Sequence, residues 1–300
     1  MQIVLCAFAG GGDVYRESLA RLKNEARGVN FFDDYFCYTD LDAPAIITNQ
    51  IASNKEFYKN RGFGYWTWKP ILIEYVLEKI NENDILIYVD AGCQLSSYGK
   101  KRFSEYIHHI KKFDSLFFHM PPNIEEAYTA KKIVDYLNCP LEHLKTPQIQ
   151  ATFFGIKKTT KTINFIYRWK ELSLLNNGYL INDANIFPTS TNFVDYRHDQ
   201  SILSLLVKLN NIETIPYECH YKSIEYYPNS AILRFPVHSV RNRTGDTKDR
   251  HTFKYSSYNI INSNSLVCTI VKYATKIIYL TPKFFRYVKN RFNNFFSCVR

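Results

Sequence analysis

Asp84-Ile85-Leu86-Ile87-Tyr88-Val89-Asp90-Ala91-Gly92-Cys93 is the stretch that decides the fold. Five apolar residues in an unbroken run between two aspartates read as a strand buried on both faces, the kind found in parallel sheets covered by helices. The run ends on an aspartate followed by small residues, which allow a ligand to come close. Outward from it the chain alternates. Toward the N-terminus lie a strand at 3–8, a helix at 14–27, a strand at 31–39 and a helix at 70–80. Toward the C-terminus lie a helix at 100–112, a strand at 115–119, a helix at 130–137, a strand at 151–156, and helices at 159–175 and 200–209. The pattern predicts an α/β fold, with a mainly parallel sheet flanked by helices. Ligands of such sheets sit beyond the carboxyl ends of the strands, so Ala9–Asp13, Asp40–Asp42 and Asp90–Cys93 should converge on one cleft.

The 300 residues are 46% hydrophobic and 22% charged, an ordinary globular balance that excludes a disordered or collagen-like chain. Aromatics reach 16% and the formal charge is +10. That charge is unevenly placed. No acidic residue follows Asp249, whereas 251–300 holds eight basic ones, leaving 30 basic against 28 acidic residues in 1–250. A near-neutral body argues against a nucleic-acid-binding protein, which the basic total alone invites. Seven cysteines, widely spaced and without a Cys-x-x-Cys pair, fit reduced thiols of a cytoplasmic protein. The N-terminal segment lacks the basic region of a signal peptide, and no uncharged apolar stretch reaches the ~18–20 residues of a membrane span.

Five segments carry candidate chemistry. Gly10-Gly11-Gly12-Asp13 departs from the dinucleotide fingerprint, because Tyr15 stands where a third glycine belongs. It is either a tight turn needing positive φ or a loop that touches a nucleotide. Arg61-Gly62-Phe63-Gly64-Tyr65-Trp66-Thr67-Trp68-Lys69-Pro70 reads as an aromatic wall with Arg61 and Lys69 facing an anionic ligand. The plainer alternative is an aromatic cluster supporting the sheet. Asp90, with Ala91 and Gly92, is placed to bind a ribose, a sugar hydroxyl or a hydrated cation. Asp199, in Arg197-His198-Asp199-Gln200, begins an apolar helix; there it either caps the helix or stays ionised as a general base. His238-Ser239-Val240-Arg241-Asn242-Arg243-Thr244-Gly245-Asp246-Thr247-Lys248 offers a histidine and cations to a diphosphate.

Taken in order, 62–70, 85–93, 197–203 and 238–245 resemble bacterial glycosyltransferases of capsule and O-antigen (lipopolysaccharide) gene clusters. The resemblance covers roughly residues 1–250 and implies a GT-A-like, Rossmann-like domain that binds a nucleotide sugar. It implies a UDP-hexose donor, UDP-galactose or UDP-galactofuranose among the candidates, and a saccharide or lipid-linked saccharide acceptor. On this sequence it implies that Ala7, Gly11 and Asp40 border the nucleotide. Arg61, Trp66, Lys69, Asp90, Ala91, Gly92, His198, Arg241, Arg243 and Lys248 would line the donor. Asp199 matches the position of the base in inverting enzymes. Asp90 matches the first aspartate of the Asp-x-Asp motif that holds Mn²⁺ or Mg²⁺, with His238 a candidate second ligand. Gly92 replaces the second aspartate, so the motif is incomplete. A non-catalytic, membrane-associated sugar-nucleotide-binding protein is the alternative.

The division expected is a catalytic domain over 1–250 and a membrane-association segment over 251–300. In the latter, Ile270, Ala274, Ile277, Phe285, Val288, Phe292 and Phe295 share one helical face, opposite Lys272, Lys276, Lys283 and Arg286. A basic face against an apolar one is the pattern of a helix lying in a membrane interface. It predicts a peripheral protein on the inner face of the cytoplasmic membrane, attracted by anionic lipid.

Overall fold

The computed structural model describes residues 1–218 and 235–239. Strand β1 (Ile3–Ala9) leads into helix α1 (Asp13–Val29), β2 (Asp34–Thr39), α2 (Ala45–Ser53), the short turns α3 (Lys55–Tyr58) and α4 (Arg61–Tyr65), α5 (Trp68–Lys79) and β3 (Ile85–Val89). Then come β4 (Gln94–Leu95), α6 (Lys100–Phe113), β5 (Ser115–Ile124), α7 (Lys131–Tyr136), α8 (Leu141–Leu144), β6 (Pro147–Ile149), β7 (Phe153–Lys157), α9 (Thr160–Gly178), α10 (His198–Leu209), β8 (Thr214–Pro216) and β9 (Val237–His238). The basic C-terminal segment predicted to be helical lies outside the described residues.

Among the described residues seven strands form the main sheet, and five of them point the same way. β1 lies between β2 and β3 and is parallel to both, with Ala7 opposite Cys37 and Cys6 opposite Tyr88. The carboxyl ends of these three strands therefore finish at one edge of the sheet, as expected. β7 runs against β3 and β5, and β6 also runs against β5. This reversal was not predicted. The excursion after β5 leaves at Ile124 and returns at Pro147, its register partner, so the returning chain must run antiparallel. β6 and β7 act as one strand interrupted at 150–152, and that interruption matters below.

Alternation along each strand splits the core in two, because successive side chains point to opposite faces. Val4, Cys6, Phe8, Leu86, Tyr88, Phe154 and Ile156 pack with residues of α5, α9 and α10. Leu5, Ala7, Ala9, Ile85, Ile87, Val89 and Phe153 pack with residues of α1 and α6. Part of the aromatic content is spent here. Phe117 and Phe154 stack at 5.4 Å, Phe31 and Phe103 at 4.4 Å, and Phe118 and Phe153 at 5.1 Å. Cys6, Cys37, Cys93 and Cys139 are free and buried.

A buried polar network anchors α10 to the sheet. Glu125, fully buried, accepts from Thr129 at 2.5 Å, Gln148 at 3.1 Å, Lys208 at 2.6 Å and the Ser204 hydroxyl. Gln148 in turn accepts from Arg197 and Gln200 at 3.1 and 2.7 Å. Buried polar groups satisfied this fully set position as well as stability. The network fixes where the first turn of α10 stands.

Candidate functional site

Two backbone features build the site. The first is a left-handed turn: Gly62, Phe63, Gly64, Tyr65 and Trp66 all have φ between 53° and 77°. For the three non-glycine residues this costs roughly 1–2 kcal/mol each. Packing offsets that cost. Phe63 lies against Gly10 and Gly11, and Tyr65 and Trp66 lie against His198 at 5.0 and 5.7 Å. A Cβ on Gly62 would meet the Trp66 ring at 2.3 Å, so only glycine fits there. After this turn the chain enters α5 with Lys69 directed inward, 2% exposed.

The second is the break between β6 and β7. It frees the peptide groups of 151 and 152 from the ladder and gives them new partners. Ala151 N–H donates to Gln200 Oε1 at 3.3 Å, and Ala151 O accepts from Lys69 Nζ at 3.1 Å. Thr152 O accepts the Asp90 N–H at 2.9 Å, which fixes the start of the loop after β3.

Around Lys69 the carboxylates gather. Its Nζ is 2.8 Å from Asp199 Oδ2 and 3.3 Å from Asp90 Oδ1. Tyr88, two residues before Asp90 and on the same face of the strand, donates its hydroxyl to Asp90 Oδ1 at 2.6 Å. The Asp90 side chain keeps 31% exposure and Asp199 only 6%. Burial pushes the Asp199 carboxyl up to about 6, against the pull of Lys69. Lys69 is held above the usual lysine value: burial acts to lower it, and the two carboxylates override that. One ammonium between two carboxylates leaves a single negative charge when all three are ionised.

Helix α1 clamps the loop that follows Asp90. Arg21 Nη2 donates to Ala91 O at 3.0 Å and Cys93 O at 2.9 Å, while Glu25 accepts the Leu95 N–H at 3.0 Å. At the neighbouring strand ends, Asp40 accepts from Arg16 Nε and Nη2, both at 2.8 Å, and from Gly11 N–H at 3.4 Å. Burial opposes ionisation of Asp40, but the Arg16 guanidinium and the Gly11 N–H hold its carboxyl below the usual range. Gly11 and Gly12 have φ of 87° and 149°, which accounts for glycine in this turn.

The structure thus brings Lys69, Asp90 and Asp199 together, with half-buried Gly92 beside them and Gly11 and Asp40 at the adjoining strand ends. Several expected positions fall elsewhere. Lys69 is turned inward instead of toward an anionic ligand, its Nζ donating to Ala151 O and paired with the two carboxylates. Arg61 pairs with Asp195 at 3.1 Å and lies 6.0 Å from the Trp66 ring, both partners about half exposed. His198 is 1% exposed among Tyr65, Trp66 and Tyr196, its Nδ1 against Ile181 O at 2.8 Å. It supports the site from behind instead of lining it. Ala7 is fully buried in the core, two residues short of the strand end. Arg241, Arg243 and Lys248 lie outside the described residues. Tyr88, Ala151, Gln200 and Arg21 were not anticipated. Tyr88 alone had a signal, the two-residue spacing that puts it on the face of Asp90.

The donor set at Asp90 does not fit a resident divalent cation. Asp90 Oδ1 already meets the Tyr88 hydroxyl and the Lys69 ammonium, Gly92 supplies no second carboxylate, and Asp199 is turned to the same ammonium. His238 is 2% exposed on β9, opposite Gln94, and burial pushes its imidazole down to about 4. No group of three His, Cys, Asp or Glu side chains suited to a metal occurs among the described residues.

No family model and no curated protein matches this chain. Among solved structures, it is similar to a glycosyltransferase involved in glycosylation of the major capsid of PBCV-1. The TM-score there is 0.42 at 12% identity, covering 87% of this chain and 100% of that one. It is similar to mouse xyloside xylosyltransferase 1, at a TM-score of 0.43 and 8% identity over 83% and 99% of the two chains. It is also similar to the galactosyltransferase LgtC in complex with donor and acceptor sugar analogs, at a TM-score of 0.43 and 12% identity over 86% and 96%.

Proposed function

We propose that this chain is a glycosyltransferase that moves a hexose from a UDP-sugar to a saccharide or lipid-linked saccharide acceptor of bacterial surface polysaccharide, with inversion. One observation carries the reading: Asp90 and Asp199, from a strand end and a helix start far apart in sequence, are held on one buried ammonium beside the carboxyl edge of the sheet. A half-exposed carboxylate backed by a second of raised proton affinity is an arrangement for handling a hydroxyl proton.

In this reading the acceptor hydroxyl gives its proton to the Asp199 carboxylate as its oxygen attacks the anomeric carbon. The bond from that carbon to the phosphate oxygen breaks, and its electron pair leaves with the nucleoside diphosphate. Asp90 orients a sugar hydroxyl from the exposed side. Charge growing on the diphosphate is met by cations of the chain, for which Arg241, Arg243 and Lys248 are the proposed residues. Association of 251–300 with anionic lipid would place the enzyme beside a lipid-linked acceptor at the inner face of the cytoplasmic membrane.

The deciding experiment measures nucleoside diphosphate release from a panel of nucleotide sugars, with and without candidate acceptors and EDTA. Acceptor-dependent release supports transfer. Donor binding without release under any condition would instead make the chain a sugar-nucleotide-binding protein.

A further inference from the structure

Three oxygens surround the Lys69 ammonium: it donates to Ala151 O at 3.1 Å and is ion-paired with Asp199 Oδ2 at 2.8 Å and Asp90 Oδ1 at 3.3 Å. The Tyr88 ring covers the same nitrogen at 5.1 Å. The lysine has little room to withdraw. Its side chain is 3% exposed, and the turn before it is pinned by Thr67 Oγ1 donating to Gly64 O at 2.7 Å and Trp68 Nε1 to Gly62 O at 3.2 Å. A divalent ion bound through Asp90 Oδ1 would stand against this fixed positive charge, and Gly92 offers it no second carboxylate.

We infer that Lys69 is the resident cation of this site: it occupies the place between the two carboxylates that a divalent ion would need, and the chain binds a nucleoside diphosphate without metal. Lys69 is a positioning residue. It holds Asp90 and Asp199 at fixed separation and cancels one of their charges, and it does not reach the phosphates. The part of this inference that concerns the diphosphate rests on the function proposed above. The part that concerns the cation does not.

The test titrates the full chain with Mn²⁺ alone, following the free ion by electron paramagnetic resonance, in wild type, Asp90→Asn and Lys69→Met. Wild type is expected to show no saturable Mn²⁺ binding that Asp90→Asn removes. Folded Lys69→Met, with two uncompensated carboxylates, is expected to gain saturable binding of one Mn²⁺ and to lose it when Asp90→Asn is added. One Mn²⁺ per wild-type chain, lost in Asp90→Asn, overturns the inference, as does a folded Lys69→Met without the gain. If Lys69→Met does not fold, the wild-type and Asp90→Asn titrations still decide. Calorimetry with UDP completes the test. Equal UDP affinity in Mn²⁺ and EDTA supports the inference, and a tenfold or greater loss in EDTA that Asp90→Asn abolishes refutes it. Absence of UDP binding in both buffers counts against the proposed function alone, because the Mn²⁺ titrations still judge Lys69.

Discussion

Lys69 Nζ stands 2.8 Å from Asp199 Oδ2, with 3% and 6% of the two side chains exposed. An ion pair this deep gains little over an apolar replacement of both partners, but losing one partner strands a buried charge. Lys69→Met should therefore lower unfolding free energy by about 3–5 kcal/mol. Lys69→Met/Asp199→Asn, with one carboxylate fewer to compensate, should recover at least half of that loss in urea titrations. Additive losses would show that the two side chains are not energetically coupled.

Removing the Asp199 carboxylate tests its proposed chemistry. Asp199→Asn should turn over at least ~10²-fold more slowly, the scale of lost general-base assistance, with unchanged donor affinity. Asp90→Asn should raise KM more than it lowers kcat. Near-normal turnover by Asp199→Asn, with the large loss in Asp90→Asn, would transfer the base to Asp90.

The raised proton affinity of Asp199 has a sign that can be checked. Its carboxyl titrates near 6 in the folded chain and at its ordinary value of 3.8 when unfolded. Between about pH 4 and 6 the folded state binds more protons, so this group's contribution to stability falls as pH rises. Burial lowers the proton affinity of His198 and His238, and these act in the opposite direction. The measurement is therefore a difference: wild-type stability should drop relative to Asp199→Asn as pH climbs through that window. Turnover should rise over the same window, as the base ionises.

The left-handed turn before Lys69 admits little change. Gly62→Ala puts a methyl group 2.3 Å from the Trp66 ring at a φ of 65°. We expect a loss of at least about 1–2 kcal/mol from the backbone alone. Tryptophan emission should shift, because Trp66 is less buried than Trp68 and Trp169. An unchanged spectrum and stability would mean that the ring is free to move aside.

The cationic segment makes a separate prediction. Full-length protein should float with vesicles containing anionic lipid, and a chain ending near residue 255 should not, since each cation near such a surface contributes about 1 kcal/mol. Equal flotation of both sinks the membrane reading.

Much of the fold was legible. The apolar run 85–89 is strand β3, and the predicted helices at 70–80 and 100–112 match α5 and α6 to within two residues. Asp90 emerges at a carboxyl strand end, as that pattern requires. What local spacing did not reveal lies where chain direction depends on distant contacts. The reversal of β7 follows from an excursion that closes on Ile124. Lys69 reads as ligand-facing because 61–70 interleaves glycines and aromatics with two cations. The left-handed turn instead starts α5 at Trp68 and sends the lysine inward. The resemblance puts His198 at the donor beside Asp199, yet residues adjacent on a helix point in different directions, and His198 packs among Tyr65, Trp66 and Tyr196.

By itself the sequence determined the alternation of elements, the two-faced core and an aspartate at the end of the central strand. Each depends on spacings of two to four residues, within which backbone geometry sets the direction of a side chain. Only the tertiary structure decided that Asp90 and Asp199 share one ammonium, and that the peptide of Ala151 completes its shell. Those partners come from two helices, a strand end and a break in a ladder. Their meeting is set by the packing of α5 and α10 on one face of the sheet, which no local spacing encodes.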